Sequence, residues 1–464
     1  MSPIDNLIIL FFLFGIILFT LYQSQKNQTS NNESYFLAGK KMHWIVAMFS
    51  IVATETSVIT FVGIPALSFV DHNWSVLQIV LGFILGRVIV SHFFISMYYK
   101  NGIVSIYEVI GQKFGVNVQR AASVTFLITR LIADGIRFFA TAKIVQIATG
   151  WDLQLSIIII GIITIFYSSI GGLRTILWID GFQFFIYLSC GVITIIYIIF
   201  YQSVDTGTIL NQVNIFSEWI NFSNTNSFFI MLLGGALISI GSHGVDYLMV
   251  QRVLSTKNIS SAKKAMLGSG IFVFVQFCVF LLVGSLIFET GFDPLDKRDV
   301  FAEYIKYEIP IGLKGLMIAG ALSAAMSSLS SSINAMASST VIDVLGDKSF
   351  DKSIKISVFW GVLITVFCLL IKFDKETPIF ILALQIASFT YGGLISLFVL
   401  SKLKTTLNSF SVLCGYISSI IILLIMYFYS VNFIYFIGIA LFSNFVIIIV
   451  VNFYYSLLKN RVDN

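Results

Sequence analysis

The 464-residue chain contains few charged residues: Asp, Glu, Lys and Arg together make up only 11% of it, whereas hydrophobic residues make up 57%. Because charged residues form about a quarter of an ordinary soluble domain, this composition excludes that class. No polar stretch is long enough to form a separate soluble domain. We therefore predict an all-α polytopic membrane protein that forms one membrane domain over residues 1–464.

Residues that usually build catalytic or metal centres are also scarce. The four cysteines are isolated within apolar stretches, which argues against a disulfide framework and against a cysteine metal site. The four histidines lie apart, without metal-ligand spacing. Neither a nucleophilic triad pattern nor a phosphate-binding glycine loop occurs. We expect no enzymatic activity, no cofactor and, at a net charge of +5, no nucleic-acid partner.

Apolar stretches long enough to cross a lipid bilayer recur along the whole chain. Thirteen are predicted, near residues 5–23, 43–71, 74–98, 118–148, 152–169, 175–200, 227–251, 264–288, 311–345, 354–371, 377–401, 408–428 and 432–457. The first stretch lacks a basic start and a cleavage site, so we expect a retained helix. Lys and Arg concentrate in alternate loops, which predicts an outside N-terminus and a cytoplasmic C-terminus.

Two of these stretches contain residues that can interrupt a helix. The second carries Gly63 and Pro65, and the seventh carries four glycines between residues 234 and 244. The two stretches are the second and the seventh, so they lie five membrane spans apart. Because five is an odd number, residues 43–200 and 227–402 form halves of similar length that cross the membrane in opposite orientations. This arrangement is typical of inverted-repeat transporters. Glycines that only allow close helix packing are the alternative interpretation.

A serine-rich segment lies inside one apolar stretch: six of the ten residues from Ser323 to Ser332 are serine. Ala324, Ser327, Ser328 and Ser331 follow an i, i+3, i+4, i+7 pattern and share one helix face. At membrane depth, hydroxyls need close helix neighbours or a ligand that prefers neutral oxygens. A dehydrated alkali cation is such a ligand, and close packing of small residues is the competing interpretation.

Several short sequence motifs, separated along the chain, occur in the order found in a known protein family. They are Tyr35–Lys40, Ser50–Ser57, Phe61–Pro65, Gly171–Arg174 with Trp178–Gln183, Gly244–Tyr247 with Val250–Arg252, the serine segment through Asn334, and Tyr391–Gly393. Together they resemble the sodium:solute symporter family over nearly the whole chain. The resemblance implies a LeuT-like core of ten helices in a 5+5 inverted repeat. One extra helix (5–23) would precede this core and two (408–457) would follow it.

In function, the resemblance implies a secondary active symporter in a plasma membrane, bacterial by expectation, with Na⁺ as its coupling ion. Such a carrier imports a small polar solute of the amino acid, sugar, carboxylate or sialic acid type by alternating access. A proton-coupled carrier with Glu55 or Asp180 as the relay is one alternative. A non-transporting solute sensor is another, although the short segment after Asn452 argues against an output domain.

The resemblance also implies positions for sodium. One site would join the broken first core helix to the eighth core helix through Ala53, Thr56, Ala324, Ser327 and Ser328. A candidate second sodium site would combine Asp180 with Ser330 and Ser331. Since an unpaired carboxylate in a membrane is expensive, Asp180 could instead pair with Arg174 or lie at a helix terminus.

Glu55 is the most individual substrate-binding candidate, because it lies beside the predicted break. A carboxylate there suggests contact with an amine, a sugar hydroxyl or sodium, and disfavours a simple anionic solute. Glu55 could also be buried in its neutral form or paired with Arg137. The remaining substrate-binding candidates are Ser57, Thr60, Gln78, Arg137, Asp246 and Tyr247.

Three charged residues on the third core helix share one face, since Arg130, Asp134 and Arg137 are spaced at i, i+4 and i+7. They could clamp a carboxylate of the solute. They could also neutralise one another as a self-contained ion network, which is the favoured interpretation because charges within membranes usually pair.

Overall fold

The computed structural model describes residues 1–26, 31–70, 72–100, 102–202, 204, 207, 209, 213–216, 218–221, 226–346, 349–371, 379–404 and 407–462. The regular structure in this part of the chain is helical. Its α-helices are α1 (Pro3–Lys26), α2 (Asn32–Leu37), α3 (Trp44–Glu55), α4 (Val58–Phe69), α5 (Leu77–Phe93), α6 (Ile95–Lys100), α7 (Tyr107–Phe114), α8 (Val116–Thr149), α9 (Leu153–Tyr201), α10 (Phe228–Ile240), α11 (Tyr247–Leu254), α12 (Ile259–Glu289), α13 (Val300–Tyr307), α14 (Leu313–Ser339), α15 (Phe350–Leu370), α16 (Ile379–Lys402), α17 (Ser409–Phe428) and α18 (Phe436–Val462).

The predicted all-α membrane fold is confirmed. Nine helices among the described residues are long and apolar enough to cross a membrane, and the bent pair α3 and α4 makes a tenth candidate. All thirteen predicted stretches fall on helices, although residues 71, 377 and 378 at the ends of two of them lie outside the described residues.

Helix α9 accounts for two of the predicted stretches. It contains 49 residues, which at 1.5 Å per residue gives a length of about 74 Å, more than twice the thickness of a bilayer core. Gly172 interrupts it with a left-handed φ of 57°. A Cβ atom at this position would lie 2.9 Å from the Tyr35 ring, so glycine provides both the turn and the close approach.

The serine-rich helix α14 lies at the centre of the bundle. In its membrane window 94% of the residues are buried, compared with at most 56% in the other eight spanning helices found among the described residues. Lipid therefore does not reach its serines, and their partners come from α14 itself and from the helices that pack around it, including α3, α8, α9 and α11. Because α14 is surrounded by other helices, its polar side chains can form a buried binding site with them.

The first helix break lies at a different point from the one that the glycine and proline suggested. Helix α3 ends at Glu55, Thr56 and Ser57 are extended, and α4 starts at Val58, whereas Gly63 and Pro65 lie inside α4. The backbone groups freed by a break need new partners at this depth. Serines of α14 supply them at Ala53 and Thr54, and this explains the position of the break.

The second break agrees with the glycine pattern. Helix α10 ends at Ile240, a π-type turn covers Gly241–Val245, Asp246 is extended, and α11 starts at Tyr247. The Asp246 side chain caps α11 by accepting a hydrogen bond from the Leu248 amide (3.0 Å). Both breaks therefore place polar groups in the middle of the bundle.

Glycines allow the backbones of α5 and α10 to touch. We therefore expect a larger residue at this contact to destabilise the protein. A Cβ atom at Gly235 would lie 2.2 Å from the Ile79 carbonyl oxygen. We expect Gly235→Ala to destabilise the protein by about 1–3 kcal/mol, because the backbone has to move. Gly15→Ala on α1 is the control, since nothing lies within 4 Å of the added carbon. Equal thermal midpoints of the two variants in detergent would contradict this packing.

Candidate functional site

Two carbonyl groups at the end of α3 face the serines of α14. Ser327 Oγ donates to the Ala53 carbonyl oxygen (2.9 Å), and Ser328 Oγ donates to the Thr54 carbonyl oxygen (3.1 Å). Both hydroxyls also lie 3.3 Å from the Ala324 carbonyl oxygen. The structure thus brings together Ala53, Ala324, Ser327 and Ser328, four of the five residues predicted for the first sodium site, and adds Thr54.

Thr56, the fifth residue, is engaged elsewhere through its side chain. Its hydroxyl donates to Gln276 Oε1 on α12 (2.8 Å), and Gln276 Nε2 in turn donates to Tyr187 (3.2 Å). The hydroxyl therefore anchors the break to α12. A role of Thr56 in sodium binding would have to come from its backbone.

The oxygens between α3 and α14 suit a monovalent cation. They are neutral carbonyl and hydroxyl groups, and Ser327 and Ser328 are buried. A cation that loses its water needs several such dipoles already held in place, which two packed helices provide. The hydroxyl protons now pointing at Ala53 and Thr54 can rotate away, leaving all of these oxygens free to face an ion.

Asp180 on α9, predicted for the second sodium site, is fully buried and already has a cationic partner. Its Oδ2 accepts a hydrogen bond from Ser50 Oγ (2.6 Å) and lies 3.5 Å from Ser331 Oγ and 3.4 Å from Arg252 Nη2. The suggested partner Arg174 is exposed, so that pairing was wrong. Ser330 is turned towards its own helix and donates to the Ser327 carbonyl oxygen (3.2 Å).

Sequence reasoning missed the position of Arg252, which follows directly after the predicted apolar stretch 227–251. The structure places it on α11 with its side chain fully buried. Its guanidinium donates to Ser50 Oγ (3.0 Å) and to the Leu248 carbonyl oxygen (2.6 Å), and it contacts Ser331. The block around Gln251 and Arg252 was noticed, but nothing in its spacing indicates a partner on α9.

Glu55, whose side chain is 21% exposed, forms a charge cluster with two buried residues that the sequence did not link to it. Its carboxylate contacts the Arg87 guanidinium of α5 and lies 3.5 Å from His243 Nε2 in the second break. Arg87 is completely buried and also donates to Ser269 (3.0 Å). Arg137 is therefore not the partner of Glu55. The cluster connects the two helix breaks through α5.

The charged residues of α8 form a network that extends beyond the helix. Asp134 Oδ1 lies 3.4 Å from Arg130 Nη1 and 3.6 Å from Arg137 Nη1. Arg130 also contacts Asp246 of the second break, which accepts a hydrogen bond from the Tyr391 hydroxyl of α16 (3.0 Å). The expectation of a self-contained network was therefore wrong, because packing of α8 against two other elements supplies further partners.

Two small cavities lie along α8, each with room for about one water molecule. The first is lined by Ser57, Arg137, Ala324 and Ser328, together with Asp134, Phe138, Thr141, Ala325 and Leu329. Arg130, Asp246 and Tyr391 are part of the wall of the second. Because the first cavity includes Ala324 and Ser328, a solute held there would lie next to the predicted sodium position.

The other substrate-binding candidates have different surroundings. Gln78 Nε2 donates to the Ile215 carbonyl oxygen (2.7 Å), and the Tyr247 hydroxyl donates to the Val104 carbonyl oxygen (2.8 Å). Thr60 is buried on α4. None of the three lines either of the two cavities described above, so their roles in solute binding stay predictions.

Known proteins share both sequence and fold with this chain. The profile of the sodium:solute symporter family matches residues 35–408. The sodium/sialic acid symporter NanT of Aliivibrio fischeri is 27% identical over 89% of this chain and 86% of its own length. The human sodium/iodide cotransporter is 27% identical over 68% of this chain and 51% of its own length. Human sodium-coupled monocarboxylate transporter 2 is 27% identical over 71% of this chain and 55% of its own length. The match thus spans about half the length of these two human relatives.

Solved structures agree on the fold. The substrate-bound, outward-open state of a Na⁺-coupled sialic acid symporter superposes with a TM-score of 0.83 at 24% identity, covering 96% of this chain and 97% of the other. Mhp1, a nucleobase-cation-symport-1 family transporter in a closed conformation, superposes with a TM-score of 0.60 at 14% identity. The superposition covers 91% of this chain and 94% of Mhp1. At these identities the likeness establishes the LeuT-like helix arrangement.

Proposed function

Because the chain belongs to the sodium:solute symporter family, we propose that it is a sodium-coupled symporter that moves a small organic anion by alternating access. The observation that carries this proposal is the contact between the end of α3 and the serines of α14, beside a cavity that contains Arg137. Transport needs no covalent chemistry, so no enzymatic step and no cofactor are involved. Na⁺ and the solute would be the small-molecule partners, and the bilayer the surroundings.

Several observations favour sodium over protons as the coupling ion. The oxygens between α3 and α14 are neutral and suit an alkali cation. Both relay residues considered for a proton-coupled carrier have arginine partners: Glu55 contacts Arg87, and Asp180 lies beside Arg252. At Glu55 the direct contact with the arginine charge favours the charged carboxylate, which makes it a poor proton carrier.

The preference for an anion depends on the charges around the cavity. The argument that Glu55 would repel an anion no longer applies, because Arg87 neutralises it. Arg137 lines the cavity, and the ion pair described for its guanidinium, with Asp134, is a loose 3.6 Å contact. Guanidinium groups bind carboxylates through paired hydrogen bonds. The relatives named above carry names of anions: iodide, monocarboxylates and sialic acid.

The cavity is small in this conformation, with room for about one water molecule. Any organic solute, from a short monocarboxylate to a sialic acid, therefore requires it to widen. With Na⁺ bound next to it, a monovalent anion would add no net charge to the buried site, which limits the energetic penalty of burial.

The proposed transport cycle uses the two halves predicted from the sequence, residues 43–200 and 227–402, with helices 5–23 and 408–457 outside the core. Sodium would hold the α3 break against α14 in the solute-competent state, so that coupling is a difference in affinity between two conformations. The contact of Arg130 with Asp246 would close the path on one side of the cavity. We propose an outside N-terminus, a cytoplasmic C-terminus and a bacterial plasma membrane as the location.

A thermal-shift screen of the purified protein tests this proposal. Short monocarboxylates, sialic acid, iodide, amino acids and neutral sugars would each be added in NaCl and in choline chloride. Because a ligand of the folded state raises apparent stability, we expect an anion to raise the midpoint in NaCl and to have a much smaller effect in choline chloride. Stabilisation by a neutral sugar alone, or equal shifts in both salts, would contradict it.

Arg137 makes a separate prediction about solute binding. We expect Arg137→Gln to weaken binding of the stabilising anion about tenfold or more, because a hydrogen bond to a charged group contributes about 1.5–3 kcal/mol. Stabilisation by sodium alone should persist. Arg120→Gln, an exposed position on the same helix α8, is the matched control and should leave anion binding unchanged. Equal anion affinities of the two variants would exclude Arg137 from the solute site.

A further inference from the structure

The predicted second sodium position contains a side-chain cation. Arg252 Nη2 lies 3.4 Å from Asp180 Oδ2 and also contacts Ser331, so one guanidinium engages two of the three residues proposed to hold a second sodium. Its Nε donates to Ser50 (3.0 Å), which itself donates to the same carboxylate oxygen. All four residues are completely buried. Any sodium bound to these oxygens would compete with the guanidinium for the same electron pairs.

Charge balance argues in the same direction. The Asp180 carboxylate and the Arg252 guanidinium carry one negative and one positive charge, so the pair is neutral as it stands. Adding Na⁺ to the same oxygens would leave a net positive charge without solvent, which is strongly unfavourable. At the α3–α14 site the ligands are neutral dipoles and no guanidinium contacts Ser327 or Ser328 among the described residues. The two positions therefore differ in their capacity for sodium.

The guanidinium is held in place independently of Asp180. Arg252 Nη1 donates to the Leu248 carbonyl oxygen of its own helix (2.6 Å), and Nε is fixed by Ser50 on α3. Asp180 Oδ1, in contrast, is buried without a hydrogen-bond partner among the described residues. The carboxylate thus keeps one oxygen that would accept a cation if the arginine charge were removed.

We propose that Arg252 acts as a tethered cation in place of a second sodium, so that this chain binds a single Na⁺, at the α3–α14 site. The inference deepens the proposed sodium coupling and depends on it. Arg252 then determines how many Na⁺ ions bind per molecule. The candidate second site at Asp180, Ser330 and Ser331 becomes a fixed ion pair that connects α3, α9, α11 and α14.

Binding of radiolabelled Na⁺ to the purified full-length chain, without solute, tests the inference. We expect one Na⁺ per wild-type molecule and one per molecule of Asp180→Asn, with similar affinities. Arg252→Gln keeps a polar side chain but removes the charge, and we expect it to bind two. The double variant Arg252→Gln/Asp180→Asn should return to one, because the uncompensated carboxylate is gone.

The outcomes separate this inference from the proposed function. Two ions on the wild type, falling to one in Asp180→Asn, would overturn the role of Arg252 and leave sodium coupling intact. A folded Arg252→Gln protein that still binds one ion would also overturn it. No bound sodium on the wild type would overturn sodium coupling and this inference together. If the variants fail to fold, the number of ions on the wild type decides between one site and two.

Discussion

Ser328→Ala should raise the sodium concentration needed for half-maximal stabilisation about tenfold, while the protein still folds and inserts into the membrane. The Ser328 hydroxyl lies 3.1 Å from the Thr54 carbonyl oxygen and 3.3 Å from that of Ala324. Its removal deletes one oxygen of the proposed sodium site and one bond between α3 and α14. A loss of about 1.4 kcal/mol, typical for one such group, corresponds to this tenfold change.

A serine on the same helix provides the control for this experiment. Ser323 is buried like Ser328, but its hydroxyl donates to the Ala319 carbonyl oxygen of its own helix (2.7 Å). Ser323→Ala should therefore leave the sodium dependence unchanged. The measurement is the thermal midpoint as a function of NaCl concentration at constant ionic strength. The same half-saturating concentration in both variants would place the sodium site elsewhere.

Removal of Arg87 should have the largest effect on stability. Arg87 is fully buried and compensates Glu55, which also lies close to His243 of the second break. Removal of one partner of a fully buried ion pair destabilises proteins by about 3–5 kcal/mol, which is an upper bound here because the Glu55 side chain is 21% exposed. We expect Arg87→Gln to lower the thermal midpoint strongly and to reduce the amount of folded protein in the membrane.

A double variant distinguishes loss of the charge pair from loss of packing. Glu55→Gln combined with Arg87→Gln removes both charges, so the part of the stability that Arg87→Gln loses by leaving the Glu55 carboxylate unpaired should return, and the part lost to the shorter side chain should not. Arg298→Gln serves as the surface control: Arg298 pairs with Asp296 at 2.8 Å, but its side chain is 56% exposed. Exposed pairs contribute about 0–1 kcal/mol. If the double variant were no more stable than Arg87→Gln, the pair would not be the source of the effect.

The hydrophobic pattern predicted the helices well, because each membrane span must satisfy its own backbone and expose apolar side chains to lipid. The serine spacing also placed Ser327 and Ser328 on the face that meets α3. The position of the first break was less predictable from glycine and proline alone. Pro65 is accommodated inside α4, and the chain opens instead at Thr56 and Ser57, where α14 offers hydrogen-bond donors nearby.

Charge partners were the least predictable part of the site. Within one helix, spacing correctly joins Arg130, Asp134 and Arg137. The pairs Glu55–Arg87, Asp180–Arg252 and Arg130–Asp246 are separated by 32, 72 and 116 residues. Such contacts depend on how distant helices pack, which one sequence does not encode at any fixed spacing. For that reason Arg137 and Arg174 were considered as partners of Glu55 and Asp180, and Arg87 and Arg252 were overlooked.

Uptake into proteoliposomes tests the central claim most directly. The anion that most stabilises the protein in NaCl would be offered to vesicles under an inward sodium gradient, an inward potassium gradient or an inward proton gradient. We predict accumulation above the external concentration with the sodium gradient alone, and its loss in Arg137→Gln. Accumulation driven by protons without sodium, or equal uptake in sodium and potassium, would contradict sodium-coupled anion symport.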